Sequence, residues 1–253
     1  MARRLTIGEV DIVRFDRRTF FAEVFDYQPG DHCTFLAPTG GGKTQIGFEA
    51  LAAVASPRLQ ATVFVMKPKD STVTRFAQVN GFETIRDWPP AQVRGLRNKV
   101  LGKQPPGWIL WPKETGNLEH DEYRQAQIFR RAMRMMYLSA RKKPNIMFAD
   151  EGYSLEKELG LAAEMRRAHT KGRSLGNGLW EASQRAAYIS MWSYQAQHLF
   201  IGFDPDEASQ DRYKEIGAGI DPAKVKVILQ NLGRYEFLYV SREERAMCII
   251  EAS

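Results

Sequence analysis

The sequence has few cysteines and no long apolar run, and these absences exclude several classes of protein. Of its 253 residues only Cys33 and Cys248 carry a thiol, too few for the disulfide framework of a small secreted domain. No apolar run approaches the roughly 20 residues that a membrane-spanning helix needs. Residues 1–4 are basic but have no apolar stretch behind them, so we expect no signal peptide. These absences predict a cytoplasmic protein without membrane contact.

Charge and composition are those of an ordinary globular domain with a basic surplus. Hydrophobic residues make up 43% and charged residues 26% of the chain, which is enough apolar material for a full core. The 36 Lys and Arg residues outnumber the 30 Asp and Glu residues, so the formal net charge is +6. A surplus of this sign suits a polyanionic partner such as nucleic acid, although many basic proteins bind none. Composition by itself therefore leaves the partner open.

Strand-like and helical segments alternate through most of the chain. Residues 33–37, 62–66 and 145–149 are short apolar runs typical of buried strands, and residues 44–54 have apolar side chains at helical spacing. This alternation predicts an α/β fold with a mainly parallel central sheet flanked by helices.

The two ends of the chain are richer in strand signals. Residues 235–240 and 247–251 are apolar runs separated by a polar turn, and they predict a C-terminal β-hairpin. We expect a β-rich N-terminal extension over residues 1–30. The main domain then covers residues 31–253 and includes the hairpin.

A glycine cluster follows the strand at residues 33–37 directly and fits the P-loop pattern. Its eight residues are Ala37, in place of the usual first glycine, Pro38, Thr39, Gly40, Gly41, Gly42, Lys43 and Thr44. Three glycines let backbone N–H groups turn inward around phosphate oxygens, and the helix that follows points its positive end at the same anion. In this pattern Lys43 reaches the β- and γ-phosphates, and the Thr44 hydroxyl binds Mg²⁺. The sequence therefore predicts an ATP site here, with a purely structural Gly-rich turn as the alternative.

Two adjacent carboxylates, Asp150 and Glu151, end the apolar strand at residues 145–149. If this strand neighbours the P-loop strand, Asp150 reaches the metal ion. Glu151 would then polarise the attacking water as general base. A solvated strand end or a helix cap is the alternative, but the P-loop upstream favours the catalytic interpretation.

A third polar element is Ser183-Gln184-Arg185, which follows a strand-like run at residues 178–183. A polar side chain at a strand end beside the P-loop can hydrogen-bond the γ-phosphate or the attacking water. Gln184 is the candidate for this role, and a polar loop residue without such a role is the alternative.

With these motifs the chain resembles the FtsK/HerA branch of P-loop motors, and within it the genome-packaging ATPases of tailed phages. The likeness covers roughly residues 30–240. Besides the P-loop and the Asp150–Glu151 pair, it depends on residues 172–179, 182–185 and 233–237. One departure is Ala186, where the DNA-pumping relatives usually have proline. The resemblance implies a P-loop NTPase fold of the RecA/ASCE-like type, with residues 31–253 as the ATPase domain.

The resemblance also implies an activity and its partners. It implies hydrolysis of ATP with Mg²⁺, coupled to movement of double-stranded DNA, with a phage portal or procapsid as further partner and the host cytoplasm as location. It implies a homo-oligomeric ring, a pentamer or a hexamer, with a nucleotide at each head-to-tail interface. The neighbouring copy would contribute an arginine to the γ-phosphate. We expect Arg173 in this role, with Arg166 and Arg167 as competitors and an exposed structural charge as the alternative.

Basic residues at two places are candidates for DNA contact in the pore of such a ring. They are Lys67, Lys69 and Arg75 after the strand at residues 62–66, and Arg94, Arg97, Lys99 and Lys103 in a Pro- and Gly-rich region. Such residues on pore loops grip backbone phosphates without reading the base sequence. Scattered solubility charges are the alternative. Trp108 and Trp111 could stack on bases, but packing in an edge strand is the favoured interpretation.

Two other functions are compatible with the motifs. One is a conjugation or HerA-type DNA-processing translocase, and the short chain without membrane helices disfavours the conjugation ATPase. The other is a nucleotide-gated binding protein that uses the P-loop as a switch. Glu151 disfavours the switch, because a switch has little need for a base that activates water.

Overall fold

Eleven strands join into one sheet in the computed structural model, which describes residues 3–90, 104–184 and 186–252. Their bounds are β1 Arg3–Ile7, β2 Val10–Phe15, β3 Cys33–Leu36, β4 Gln60–Phe64, β5 Glu83–Ile85, β6 Gly107–Leu110, β7 Asn145–Ala149, β8 Asn177–Ser183, β9 His198–Gly202, β10 Phe237–Ser241 and β11 Ala246–Ile250. Their order across the sheet is β1-β2-β11-β10-β9-β3-β8-β7-β4-β6-β5.

The strands from β9 to β5 in this order are all parallel to one another. Parallel strands are covered on both faces, so their sequences are continuous apolar runs rather than alternating ones. β7 and β8 show this most clearly, because every residue of both strands is buried. The α/β fold with a mainly parallel central sheet, predicted from the alternation of segments, is confirmed.

Eight α-helices lie among the described residues. They are α1 Arg17–Thr19, α2 Lys43–Val54, α3 Ser71–Asn80, α4 Leu118–Ser139, α5 Ala162–Arg167, α6 Met191–Tyr194, α7 Glu207–Gln210 and α8 Pro222–Gln230. Short π-helical or 3-10 turns occur at Phe20–Val24, Ser154–Glu158, Ala168–Gly172, Arg173–Leu175, Ala186–Tyr188 and Asp211–Ile216. None of the helices in the described ranges has the length and apolar character needed to cross a bilayer.

The helices pack on both faces of the sheet. On one face, α2 and α3 join a core that includes Phe35, Phe148 and Trp180. On the other face lies α4, whose N-terminus is capped by the Asn117 side chain. Phe129 of α4 packs edge-on against Phe64 of β4, with ring centroids 5.2 Å apart. Both faces of the parallel strands are therefore covered by apolar side chains of the helices.

Antiparallel pairing extends the sheet beyond β9. β10 pairs antiparallel with β9 and with β11, so the predicted C-terminal hairpin is present. β2 pairs parallel with β11, and β1 is the antiparallel edge partner of β2. The N-terminal strands thus belong to the same sheet, and the division of the chain at residue 30 stays a prediction.

Candidate nucleotide site

The carboxyl ends of four adjacent parallel strands converge at one edge of the sheet. β3 leads into the P-loop, β8 into Gln184, β7 into Asp150 and β4 toward Lys67. In open α/β sheets ligands bind outside the carboxyl ends of the strands. The polar side chains that end these strands are therefore placed where a ligand is expected.

The strand that carries Asp150 is not the direct neighbour of the P-loop strand. β8 lies between β3 and β7 and pairs with both of them in parallel. The condition under which we expected Asp150 to reach the metal ion, that the two strands are direct neighbours, is therefore not met, and Asp150 still contacts Thr44. The chain order gave no sign of this, because β8 follows β7 in the sequence and is inserted back between the two earlier strands.

The P-loop wraps the start of α2 without a side-chain cap. Gly40 and Gly42 have φ angles of 75° and 88°, a left-handed conformation that favours glycine. Gly42 occupies the N-cap position, and within the described part of the chain α2 has no side-chain cap hydrogen bond. A Cβ on Gly42 would lie 3.2 Å from the ring of Tyr235, so there is little space for one. The first amides of α2 are thus available to an anion such as phosphate.

Lys43 is the basic side chain of this loop, and only 6% of the residue is exposed. Burial lowers the pKa of its ammonium group, while the charges of Glu151 and Asp150 act in the opposite direction. The site thus places a buried cation, which attracts phosphate, beside two carboxylates, which attract a metal ion. Phosphates bound together with a metal ion would suit this combination of charges.

Thr44 and Asp150 are in direct contact. The Thr44 hydroxyl donates a hydrogen bond to Asp150 Oδ1 over 2.8 Å. Burial raises the pKa of Asp150, and the hydrogen bond from Thr44 and the charge of Lys67 partly oppose this shift. Hydroxyl and carboxylate oxygens are the hard ligands that Mg²⁺ prefers. The donor set at this position therefore fits a magnesium ion.

Gln184 joins the P-loop to Glu151 through the two ends of its side-chain amide. Its Oε1 accepts a 2.7 Å hydrogen bond from the Thr39 hydroxyl. Its Nε2 donates to the Glu151 carboxylate at 3.2 and 3.3 Å. The three side chains thus form a continuous polar bridge beside the phosphate loop.

Lys67 is a site residue whose role the sequence did not reveal. Its Nζ lies 3.0 Å from Glu151 Oε1 in an ion pair, whereas the sequence suggested only a DNA contact. The pairing register places Phe64 of β4 opposite Ala149 of β7. The residues just beyond these strand ends are therefore neighbours in space. A predicted β4–β7 pairing would have been the signal for this contact.

Two cavities lie close to the candidate site. One, of about 560 Å³, opens beside Glu151 and is lined by Ser183, Gln184 and Tyr188. The other, of about 460 Å³, is lined by residues 37–41 of the P-loop and by the side chains of Phe203 and Tyr235. Free space is therefore present beside Glu151 and, in a separate cavity, beside the P-loop.

A buried carboxylate, Glu181, supports the turn that holds Asp150 and Glu151. It lies on β8 and is 3% exposed. A Cβ on Gly152 would be 3.2 Å from both Cβ and Oε2 of Glu181, so the turn packs closely on this side chain. Burial raises the pKa of Glu181 to about 7, against the opposing effect of the Ser193 hydroxyl. Sequence reasoning missed this residue, because it lies inside a strand-like run and only the polar residues that follow the strand were considered.

Within one copy of the chain, the structure does not bring the candidate arginines to this site. Arg173 precedes β8 at its amino end, where Nε lies 3.2 Å from Asp31 Oδ1 and the guanidinium also pairs with Glu243. Arg166 and Arg167 are exposed on α5. Arg94, Arg97, Lys99, Lys103 and Arg185 lie outside the described residues.

Comparisons with known proteins find this fold among solved structures. No family model matches the chain, and no curated protein matches it in sequence. The genome packaging NTPase B204 from Sulfolobus turreted icosahedral virus 2, in complex with ATP-gammaS, superimposes with a TM-score of 0.61 and 13% identity, over 90% of this chain and 100% of that chain. The DNA-packaging ATPase B204 from Sulfolobus turreted icosahedral virus gives a TM-score of 0.56 and 15% identity, over the same shares of both chains. The chain is thus similar in fold to viral genome packaging NTPases.

Proposed function

We propose that this chain hydrolyses ATP to translocate double-stranded DNA and that it packages a viral genome, that of a tailed phage, into a procapsid. One observation carries the ATPase proposal: the P-loop, the Thr44–Asp150 contact and the Glu151 carboxylate meet at one edge of the sheet. The likeness in fold to structures described as genome packaging NTPases supports the packaging role. The net charge of +6 suits a DNA partner.

In the proposed reaction each residue of the site has a distinct task. The amides of residues 39–44 and the Lys43 ammonium bind the phosphates of ATP. Thr44 and Asp150 hold Mg²⁺, which neutralises charge on the phosphate oxygens when it is bound. Glu151 accepts the proton of the attacking water.

We assign the two cavities from the roles proposed for Asp150 and Glu151. The γ-phosphate would face these carboxylates. The nucleoside would then extend toward the cavity lined by residues 37–41, where Phe203 and Tyr235 offer aromatic faces for the base. The cavity beside Glu151 is left for the attacking water and for a residue of a neighbouring copy.

We propose a ring of five or six copies in the host cytoplasm that docks on the portal of the procapsid. Each site would be completed by an arginine of the neighbouring copy. Arg173 is the first candidate, since 47% of its side chain is exposed and it can exchange its partners. Arg166 and Arg167 are the competitors.

The test is steady-state ATP hydrolysis with Mg²⁺, with and without long duplex DNA at low salt, using Glu151→Gln as the inactive control. We expect hydrolysis that DNA stimulates and that the Glu151→Gln variant lacks. Slow turnover indifferent to DNA would instead favour a nucleotide-gated binding protein. DNA affinity should fall steeply with salt and vary little with base sequence.

A further inference from the structure

The ion pair between Lys67 and Glu151 occupies the carboxylate that the proposed reaction needs as a base. Besides this ammonium group, the amide of Gln184 donates to the same carboxylate. Burial alone would lower the pKa of Lys67, but its hydrogen bond to Glu151 and the nearby carboxylate charges outweigh burial and raise this pKa. Glu151 Oε1 is engaged by this ammonium group, and a carboxylate oxygen held in an ion pair is not free to accept a proton from water. Lys67 therefore restrains Glu151 in this arrangement.

The segment that carries Lys67 also forms one wall of a basic groove. This groove has a volume of about 560 Å³, and its main side chains are Lys69, Arg75, Arg86 and Trp111. All three cations are exposed. One carboxylate, Asp70, is also among the described lining residues, and it accepts hydrogen bonds from two backbone N–H groups at the start of α3. The basic groove thus combines three exposed cations with one carboxylate that the helix already engages.

Direct contacts connect the basic groove to Lys67. The indole N–H of Trp111 donates a 2.8 Å hydrogen bond to the backbone carbonyl of Lys67. The Arg86 guanidinium lies 5.9 Å from the centre of the Trp111 ring and donates a 2.8 Å hydrogen bond to the Trp111 carbonyl. A ligand held by Arg86 and Lys69 would therefore contact residues that are linked to Lys67, one through Trp111 and the other through the chain. Energetic coupling between sites needs an element with two arrangements, and the Lys67 side chain is our candidate for it.

We propose that the basic groove binds the backbone phosphates of a nucleic-acid duplex and that this binding draws Lys67 away from Glu151. The side chain of Lys67 is 47% exposed, so its ammonium group can exchange the carboxylate for a phosphate at the edge of the groove. ATP hydrolysis is then slow in the free protein and fast when the protein is bound to a nucleic-acid duplex. This inference rests on the proposed function, because it takes Glu151 as the base.

A duplex fits the basic groove better than an acidic peptide does. Duplex DNA carries about one negative charge per 1.7 Å of helix axis, which attracts clustered cations more strongly than a flexible peptide of lower charge density. The net charge of +6 adds a long-range attraction of the same sign. Such contacts to phosphates position the protein without reading the base sequence.

The first experiment measures ATP hydrolysis with and without long duplex DNA for the wild type and for variants at Lys67. Lys67→Met keeps the length of the side chain and removes its charge. We expect its rate without DNA to rise at least ~5-fold and its stimulation by DNA to fall by a similar factor. Lys67→Arg keeps a cation, so its basal rate should lie below that of Lys67→Met and its stimulation by DNA above that of Lys67→Met. Lys224→Ala, which removes an exposed lysine on α8, should behave as the wild type.

The second experiment measures the affinity for fluorescent duplex DNA by anisotropy over a range of salt concentrations. The double variant Lys69→Ala and Arg75→Ala should bind more weakly, and the slope of log affinity against log salt should fall by about 1–2. Unchanged affinity and slope would overturn the assignment of the groove. Stimulation of hydrolysis by polyglutamate as strong as that by DNA would overturn the choice of nucleic acid.

The outcomes separate this inference from the proposed function. If DNA stimulates the wild type but Lys67→Met keeps a low basal rate and full stimulation, the restraint by Lys67 is overturned and the proposed function stands. If the wild type hydrolyses no ATP under either condition, both fail. If the basal rate is raised in Lys67→Met and is lost when Glu151→Gln is added to it, the restraint by Lys67 and the proposed function are both supported.

Discussion

Thr44 donates a 2.8 Å hydrogen bond to Asp150, although 106 positions separate them in the chain and β8 lies between β3 and β7, the strands that precede them. The contact spans the carboxyl end of β8, where Gln184 forms a second bridge. A metal ion bound here would take one oxygen from the P-loop helix and one from β7. The geometry of the metal site thus depends on the insertion of β8.

The Thr44 hydroxyl should control the requirement for Mg²⁺. Thr44→Ala removes one ligand and the hydrogen bond to Asp150, so the Mg²⁺ concentration for half-maximal ATP hydrolysis should rise at least ~10-fold. Thr44→Ser keeps the hydroxyl and should remain close to the wild type. A magnesium titration of hydrolysis at saturating ATP measures both, and equal curves for Thr44→Ala and Thr44→Ser would contradict the ligand role.

Substitutions at Lys43 and Glu151 should affect two different quantities, nucleotide affinity and the rate of hydrolysis. Lys43→Ala removes a charged contact to phosphate and should weaken nucleotide binding about 10- to 100-fold. Glu151→Gln keeps the shape of the side chain but cannot take up a proton, so turnover should fall ~10²- to 10⁴-fold with nucleotide affinity retained. Equilibrium binding of a fluorescent ATP analogue and steady-state hydrolysis measure the two effects. Normal hydrolysis by Glu151→Gln would show that another group is the base.

The sequence predicted the parts of the site whose residues are adjacent in the chain. It did not predict contacts that depend on the order of the strands in the sheet. Residues 37–44 could be singled out because the glycines, Lys43 and Thr44 act within one turn. The contact between Lys67 and Glu151 could not be predicted, since it exists only because β4 and β7 are neighbours. Glu181 is another case, because its closeness to Gly152 depends on the insertion of β8 beside β7.

The cavity formed with Phe203 and Tyr235 should bind the nucleoside rather than the phosphates. Phe203→Ala or Tyr235→Ala should weaken ATP binding by ~1–3 kcal/mol, the usual contribution of base stacking on an aromatic side chain. Inorganic tripolyphosphate contains the phosphates without the base, and its affinity should not change. Competition binding with both ligands measures the difference. An equal loss of affinity for ATP and for tripolyphosphate would mean that the substitution disturbs the P-loop instead.

Arg173 should act on the site of the neighbouring copy, besides supporting its own fold. Arg173→Ala leaves the buried Asp31 carboxylate without this ion pair, so we expect a lower thermal midpoint as well as lost hydrolysis. Mixing Arg173→Ala with Glu151→Gln subunits should restore part of the activity, since each interface needs one residue from each side. Mixtures of Arg166→Ala or Arg167→Ala with Glu151→Gln test the competitors. If no Arg173→Ala mixture regains activity, Arg173 has only a structural role, through its ion pair with Asp31.

Glu181 should make the stability of the fold fall with rising pH. Burial holds the pKa of this carboxyl at about 7 in the folded chain, against an ordinary value of 4.5. Between these values the folded state binds more protons than the unfolded state, so the free energy of unfolding decreases with pH, by up to roughly 3 kcal/mol. Glu181→Gln stays neutral and should exceed the wild type in stability above about pH 7. Other titrating groups are shared by both proteins, so the difference between their urea midpoints from about pH 5 to pH 8 isolates Glu181. A difference that stays constant over this range would mean that Glu181 does not take up a proton on folding.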